Sequence, residues 1–170
     1  MKIYTASSWR NERYPAVVNA LKAEGYEVYD FRNPWDEGAA FNWEQIDPNW
    51  ENWGAYEFVE ALKHPLSERA FKSDKAGMDW ADVCVLILPS GKSSHMEAGY
   101  MAGKGKPVHI LLDGGRPELT YKLANTHASF SSLLVALKVE SEIKLAGESS
   151  SKAQSPTVPG PAPDQEAHPR

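Results

Sequence analysis

Glu97 is the residue of this sequence best placed for covalent chemistry. It falls in the first turns of a helix predicted over Ser93 to Gly103, directly after the continuous apolar strand Asp82 to Leu88. A carboxylate held rigidly beside a strand end is what a nucleophile at a sugar carbon requires. Ala98, Gly99, Ala102 and Gly103 are small enough to let this helix press close to a sheet and fix where Glu97 points. The plainer reading is a carboxylate favouring a helix N-terminus, worth a few tenths to about one kcal/mol.

The segment just ahead of Glu97, LILPSGKSS, imitates the end of a phosphate-binding P-loop. The full motif needs a glycine where Leu86 stands, so the connection is too short to wrap a triphosphate, and ATP or GTP hydrolysis is disfavoured. What survives is a helix start at which Gly91, Lys92, Ser93 and Ser94 offer amides, hydroxyls and a cation to an anion or a polar hydroxyl.

The elements that must position these groups alternate. Lys2 to Ala6 reads as a strand, Tyr14 to Ala23 as a helix with Val17, Val18 and Leu21 on one side and Gly25 as its stop, and Glu27 to Phe31 as a second strand. Arg32 to Trp53 is a long aromatic loop. Helices over Tyr56 to Leu62 and Leu66 to Trp80 precede the apolar strand, a strand over Pro107 to Leu112 follows the Glu97 helix, and Phe130 to Leu145 closes the domain. This predicts an α/β fold with a parallel sheet and right-handed crossovers. Ligands of such sheets sit beyond the carboxyl ends of the strands, which gathers Tyr4 to Arg10, Asn33, Pro89 to Glu97 and Asp113 to Arg116 around one cleft.

At this point the sequence resembles a family. HMEAGYMAGKGKPV, His95 to Val108, is similar to the E-x-G-Y-A-x-x-x-G-K-P-V signature of the nucleoside 2-deoxyribosyltransferases. MKIYTASSWR at the start resembles that family's opening strand and small-residue turn, and DKAGMDWADVCVLILP resembles its acidic helix running into the third strand. The resemblance covers about 140 residues in outline, and the Glu97 segment alone is diagnostic. It implies a flavodoxin-like, doubly wound parallel sheet of about five strands and a double displacement at C1' of a nucleoside, with Glu97 attacking to form a glycosyl ester. It further implies that Tyr4 hydrogen-bonds and orients Glu97, and that Asp74 protonates the leaving nitrogen and deprotonates the acceptor. Core tyrosine and solvated helix carboxylate are their plainer readings. Asp82 reads as a strand-start residue. Independently of the family, cleaving an N-glycosidic bond needs a negative charge below an oxocarbenium-like sugar and a proton donor near the base, with no metal or redox cofactor.

The sequence departs from the family at the sugar end. Where transferases commonly carry an acidic residue and a Gly-Thr pair, this chain reads Ser90-Gly91-Lys92-Ser93-Ser94. Lysine and serines suit a phosphate better than a free 5'-hydroxyl, and Ser7, Ser8 and Arg10 resemble the phosphate-contacting turn of the related 2'-deoxynucleoside 5'-phosphate N-hydrolases. Three readings therefore stand: a deoxyribosyltransferase, a 5'-monophosphate N-hydrolase, and a non-catalytic nucleotide-binding sensor. In the aromatic loop, Phe41 and Trp43 are the rings chosen to stack on a nucleobase, against a plainer role in packing. Asn33, Asp36 and Asp47 either meet a base edge or cap turns.

Composition bounds these readings. With 170 residues and a net charge of -5, the chain has room for one working domain and no field that draws a nucleic acid polymer. The run Val83 to Leu88 is far shorter than the roughly 20 residues needed to cross a bilayer, and no signal-peptide stretch is present, so no membrane partner is expected and a cytoplasmic location is. Cys84, the single cysteine, reads as a core residue, and the five scattered histidines give no metal-ligand spacing. The domain is expected over 1–145 and a disordered Pro/Ser-rich tail over 146–170. The tryptophans and the resemblance suggest a homo-oligomer whose neighbour completes the site.

Overall fold

Among the described residues, β1 (Lys2–Ala6), β2 (Glu27–Asp30), β3 (Val83–Ile87), β4 (Val108–Leu111) and β5 (Asn125–His127) form one sheet in the order β2-β1-β3-β4-β5, with each neighbouring pair parallel. This is the flavodoxin-like order, whose direction reverses between β1 and β3. The computed structural model describes residues 1–114 and 118–153. Residues 1–135 make one compact unit that contains the whole sheet.

Alternation along each strand sorts the core into two faces. Tyr4, Ala6, Tyr29, Cys84, Leu86, Val108 and Ile110 form one cluster with Met78, Ala81, Ala98 and Met101, which belong to α3 (Pro65–Trp80), its C-cap and α4 (Lys92–Gly103). On the other face Thr5 meets α1 (Tyr14–Ala23), where the buried Tyr14 hydroxyl lies 2.8 Å from Thr5 Oγ1 and donates to Asp30 Oδ1 at 2.8 Å. The fully apolar β3 is buried along its whole length, as its composition predicts, and so is β4.

β5 carries no apolar pattern, which is why the sequence reading names no element there. It is held by parallel pairing to β4 and by the buried His127, whose Nε2 lies 2.9 Å from His109 Nδ1. The long loop after β2 is folded as three 3-10 turns, over Glu37–Ala39, Trp43–Gln45 and Trp50–Asn52, before α2 (Ala55–Ala61).

The last helix, α5 (Phe130–Ala153), outruns the expected domain end at 145. Low hydrophobicity argued against burial there, not against a solvated helix: Ser149 Oγ bonds back to Leu145 O at 2.9 Å, and Pro156 is the first proline after α5 begins. Within the second unit, 136–170, this helix continues to Ala153, and the rest of the expected tail lies outside the described residues. No helix among the described residues is long and apolar enough to cross a membrane.

One close approach fixes α3 on the sheet. A Cβ at Gly77 would fall 2.8 Å from ring carbons of Tyr29, inside contact distance for atoms of a fully buried aromatic. Gly77→Ala is expected to destabilise the domain by about 1 to 3 kcal/mol through overpacking. Thermal unfolding reads this as a lowered Tm; an unchanged Tm would show that the ring can move aside.

Candidate active site

Strand register builds the floor of the site. Tyr29, Tyr4, Cys84 and Val108 are successive partners across β2, β1, β3 and β4, all buried. The Tyr4 and Tyr29 rings stack with centroids 5.3 Å apart and planes at 11°. Onto this floor α3 brings Asp74 and α4 brings Glu97. The Tyr29 hydroxyl donates to Asp74 Oδ1 at 2.9 Å and lies 2.9 Å from Ser73 Oγ. Tyr4 sits in mid-strand rather than at the strand end, and its buried hydroxyl makes no well-formed hydrogen bond, so the expected bond to Glu97 is only an approach.

The two carboxyls share one electrostatic environment. Burial pushes Glu97 up to about 7, the charge of Asp74 pushes the same way, and the Tyr4 hydroxyl opposes both. Burial raises Asp74 to about 6, against the Tyr29 hydrogen bond, which favours the ionised form. The Tyr4 phenol is held well above its ordinary range by burial, then by the charges of Glu97 and Asp74. Cys84 follows the same logic, raised by burial and then by Glu97. A carboxyl pair that titrates around neutrality can divide the roles of nucleophile and acid-base catalyst at working pH.

The helices that carry the pair are tied to each other. Tyr100, one turn after Glu97, donates to Asp79 Oδ1 at 2.6 Å, and Lys75 pairs with the same carboxylate. Lys106 Nζ donates to the carbonyls of Met78, Asp79 and Ala81 at 2.8, 2.7 and 2.6 Å, capping the C-terminal end of α3. Ala98 and Met101 are the apolar α4 residues buried in the core cluster, with Ser94 buried at the helix start. Gly99 and Gly103 are not: each would place a Cβ in open space, so the closeness of α4 rests on Ala98 and not on the glycines.

The remaining expected site residues divide. Ser7 Oγ donates to Ile87 O at 2.8 Å and accepts from Asn11 Nδ2, while Ser94 Oγ donates to Ser7 O at 3.1 Å, so the turn after β1 and the start of α4 adjoin at the switch point. Gly91, Lys92 and Ser93 are exposed there, and α4 has no side-chain cap. Ser8 Oγ accepts from Arg10 N, and the exposed Arg10 reaches Glu51 at 3.6 Å. Asn33 bonds Asp30, Asp36 pairs with Arg69, Asp47 accepts from Trp53 Nε1, and Asp82 accepts from Lys2 N, each as a turn or strand anchor. Phe41 and Trp43 pack edge-on with each other, and Trp43 meets Trp53 edge-on and Phe58 at a tilt, a satellite cluster. Arg116 lies outside the described residues.

Three residues that touch the site went unassigned in the sequence reading. Tyr29 contacts Asp74 and Ser73 contacts Tyr29 as described, and Trp35 packs edge-on against Tyr29 at 4.9 Å and Trp80 at 4.8 Å. Alternation in β2 and the glycine at 77 were the signals for an inward Tyr29. Beside them an open cavity of about 540 Å³, lined by Trp35, Arg69, Lys72 and Ser73 among others, meets the site at Ser73 without reaching Tyr4 or Glu97.

No family model matches the chain, and no curated protein matches it. Solved structures do. The chain shares its fold with a 2-deoxyribosyltransferase. That enzyme, from the psychrotolerant bacterium Bacillus psychrosaccharolyticus, is 22% identical, with 78% of this chain and 90% of that chain covered at a TM-score of 0.53. A CMP N-glycosidase of Clostridium botulinum is matched at 15% identity over 75% of this chain and 86% of that one, with a TM-score of 0.43.

Raised carboxyl pKa values set a sign for stability. The native state holds protons that the unfolded chain, with ordinary values of 3.8 and 4.5, has released, so stability is full below that range and falls as pH rises through about 6 and about 7. Urea unfolding at about pH 5 and about pH 8 is expected to show wild type losing roughly 1 to 3 kcal/mol, and Glu97→Gln losing clearly less. An equal loss in the variant would mean that Glu97 is not the buried acid described.

Proposed function

We propose that this chain is an enzyme that cleaves or transfers at the N-glycosidic bond of a 2'-deoxynucleoside or its 5'-monophosphate, through a covalent glycosyl-Glu97 intermediate. The observation that carries the reading is the pair Asp74 and Glu97, brought from two helices onto one tyrosine floor beside the sheet's switch point, both with raised pKa. Support comes from the signature around Glu97 and from a fold shared with an enzyme that transfers 2-deoxyribosyl groups.

The steps balance without a cofactor. Glu97 in its ionised form attacks C1'; the C1'–N bond breaks, its electron pair going to the base nitrogen, which takes the proton of Asp74. The product is a sugar ester of Glu97 and a free base. A second base then gives a proton to Asp74 while its nitrogen attacks C1', and the ester oxygen leaves as the Glu97 carboxylate. Water in place of the second base gives hydrolysis. Tyr4, beside Glu97, is the group that steadies the carboxylate as it forms and leaves.

One observation favours the monophosphate as substrate. Exposed Gly91, Lys92 and Ser93 open α4 without a side-chain cap, next to the turn carrying Ser7, Ser8 and Arg10. Free amides at a helix start with a lysine and hydroxyls suit a phosphate dianion. The expected homo-oligomer finds support in the exposed Met96, Leu119 and Leu123; sedimentation as a lone monomer would remove it.

The test is chromatography of the protein with deoxynucleosides and their 5'-monophosphates, with and without a different free base. A new nucleoside only with acceptor base makes it a transferase, and free base plus sugar phosphate from monophosphates alone makes it the N-hydrolase. Glu97→Ala is expected to lower turnover by at least about a thousandfold with the fold intact. Stoichiometric binding without turnover of any substrate would support the sensor instead. Because the productive state has Glu97 ionised and Asp74 protonated, kcat/KM is expected to be bell-shaped, falling on the acid side as Glu97 is protonated and on the alkaline side as Asp74 loses its proton, with the pair's two apparent values near about 6 and about 7.

A further inference from the structure

Resting on that reading, we infer that Tyr29 is a positioning residue of the reaction, which by donating to Asp74 while stacking on Tyr4 holds the proton carrier and the tyrosine beside Glu97 in fixed relation. Neither the signature nor the shared fold assigns this residue a role. It enters from β2, outside the segments that carry Tyr4, Asp74 and Glu97.

The ring has nowhere else to go. It is fully buried, stacked on Tyr4 at 5.3 Å, met edge-on by Trp35 at 4.9 Å, and packed where Gly77 leaves no room for a methyl group. A ring so confined delivers its hydroxyl to one point, which is how a supporting side chain fixes a reacting one. At that point the phenol has a single hydrogen, and it goes to Asp74 Oδ1 at 2.9 Å. The Ser73 hydroxyl, 2.9 Å from the same phenol oxygen, is therefore the donor in the second bond, giving a chain Ser73 to Tyr29 to Asp74 in which each link polarises the next. Oδ1 is thereby engaged, leaving Oδ2 as the oxygen of Asp74 free to carry the travelling proton.

The electrostatic consequence has a definite sign. The groups that face Asp74 are Tyr29 from β2, Tyr4 from β1 and Glu97 from α4, with the Cys84 thiol of β3 facing Glu97 in turn. Among them Tyr29 is the one that favours the ionised form of Asp74, working against burial. Without its hydrogen bond Asp74 would hold its proton more tightly and release it to the leaving base less readily.

Tyr29→Phe keeps the ring and removes the hydroxyl, so it separates positioning from packing. Carboxyl NMR titration is expected to show Asp74 moving upward by at least about half a unit, and steady-state kinetics a fall in kcat of about tenfold with KM held within about threefold. The pH profile should move upward with the Asp74 titration. An unmoved Asp74 with unchanged kcat overturns the inference, and so does a loss confined to KM. Should the variant fail to fold, Ser73→Ala serves in its place, with a smaller upward movement of Asp74 expected and no movement overturning the idea. An upward Asp74 shift in a chain whose wild type turns over no nucleoside would leave the Tyr29 to Asp74 tie standing and sink the reaction, so the two failures are distinguishable.

Discussion

Holding two carboxyl groups of like charge near enough to interact, each half-buried, is the constraint on which the rest of this structure depends. An isolated buried carboxylate costs several kcal/mol, and a second beside it adds repulsion, so the pair keeps a proton that two exposed acids would have lost. The raised values of Asp74 and Glu97 measure that tension. Nothing in α3 or α4 alone would keep the side chains facing each other. The helices are held by contacts away from the two carboxyls: Tyr100 on Asp79, Lys75 on the same carboxylate, and Lys106 across the end of α3. Exposed ion pairs contribute little singly. Here they act on helices already seated by Met78, Ala98 and Met101, where small restraints decide orientation rather than stability.

The sheet supplies the other half of the geometry. In a parallel sheet, register sets which side chains stand abreast, and a slip of one residue would turn Tyr4, Tyr29 and Cys84 to the wrong face together. Pairing of β1 with both β2 and β3 makes Tyr4 the centre of that row. The turn after β1 is stitched to the end of β3 by Ser7 and Asn11 on Ile87 O, so the two strands that flank the switch point end at a fixed distance. Function and fold meet in those few bonds.

Most of this was legible in the residues. Apolar β3, the helix stop at Gly25 and the 3.6-residue spacing of Val17, Val18 and Leu21 state their structures plainly, because each element buries a face of its own. The carboxyls and Tyr4 were legible through a resemblance. What escaped has a common physical cause: it depends on contacts between distant segments. β5 exists because β4 offers it an edge and His109 a partner. Tyr29 matters because Gly77, far along the chain, leaves it space. Gly99 and Gly103 misled for the converse reason, since small size in a helix says nothing about which way the residue faces. The helical extension to Ala153 escaped because composition reports on burial and not on local hydrogen bonding.

Lys106 has a consequence for how such a chain comes into being. Its ammonium group caps α3 from 25 residues beyond the Ala81 carbonyl that it binds, after the whole of α4. On a ribosome the helix bearing Asp74 therefore emerges with bare terminal carbonyls and waits for the strand that follows Glu97 before its end is sealed. The contact that closes the end of the Asp74 helix is thus written into the sequence after Glu97, so neither helix has its full native restraint until both have been made.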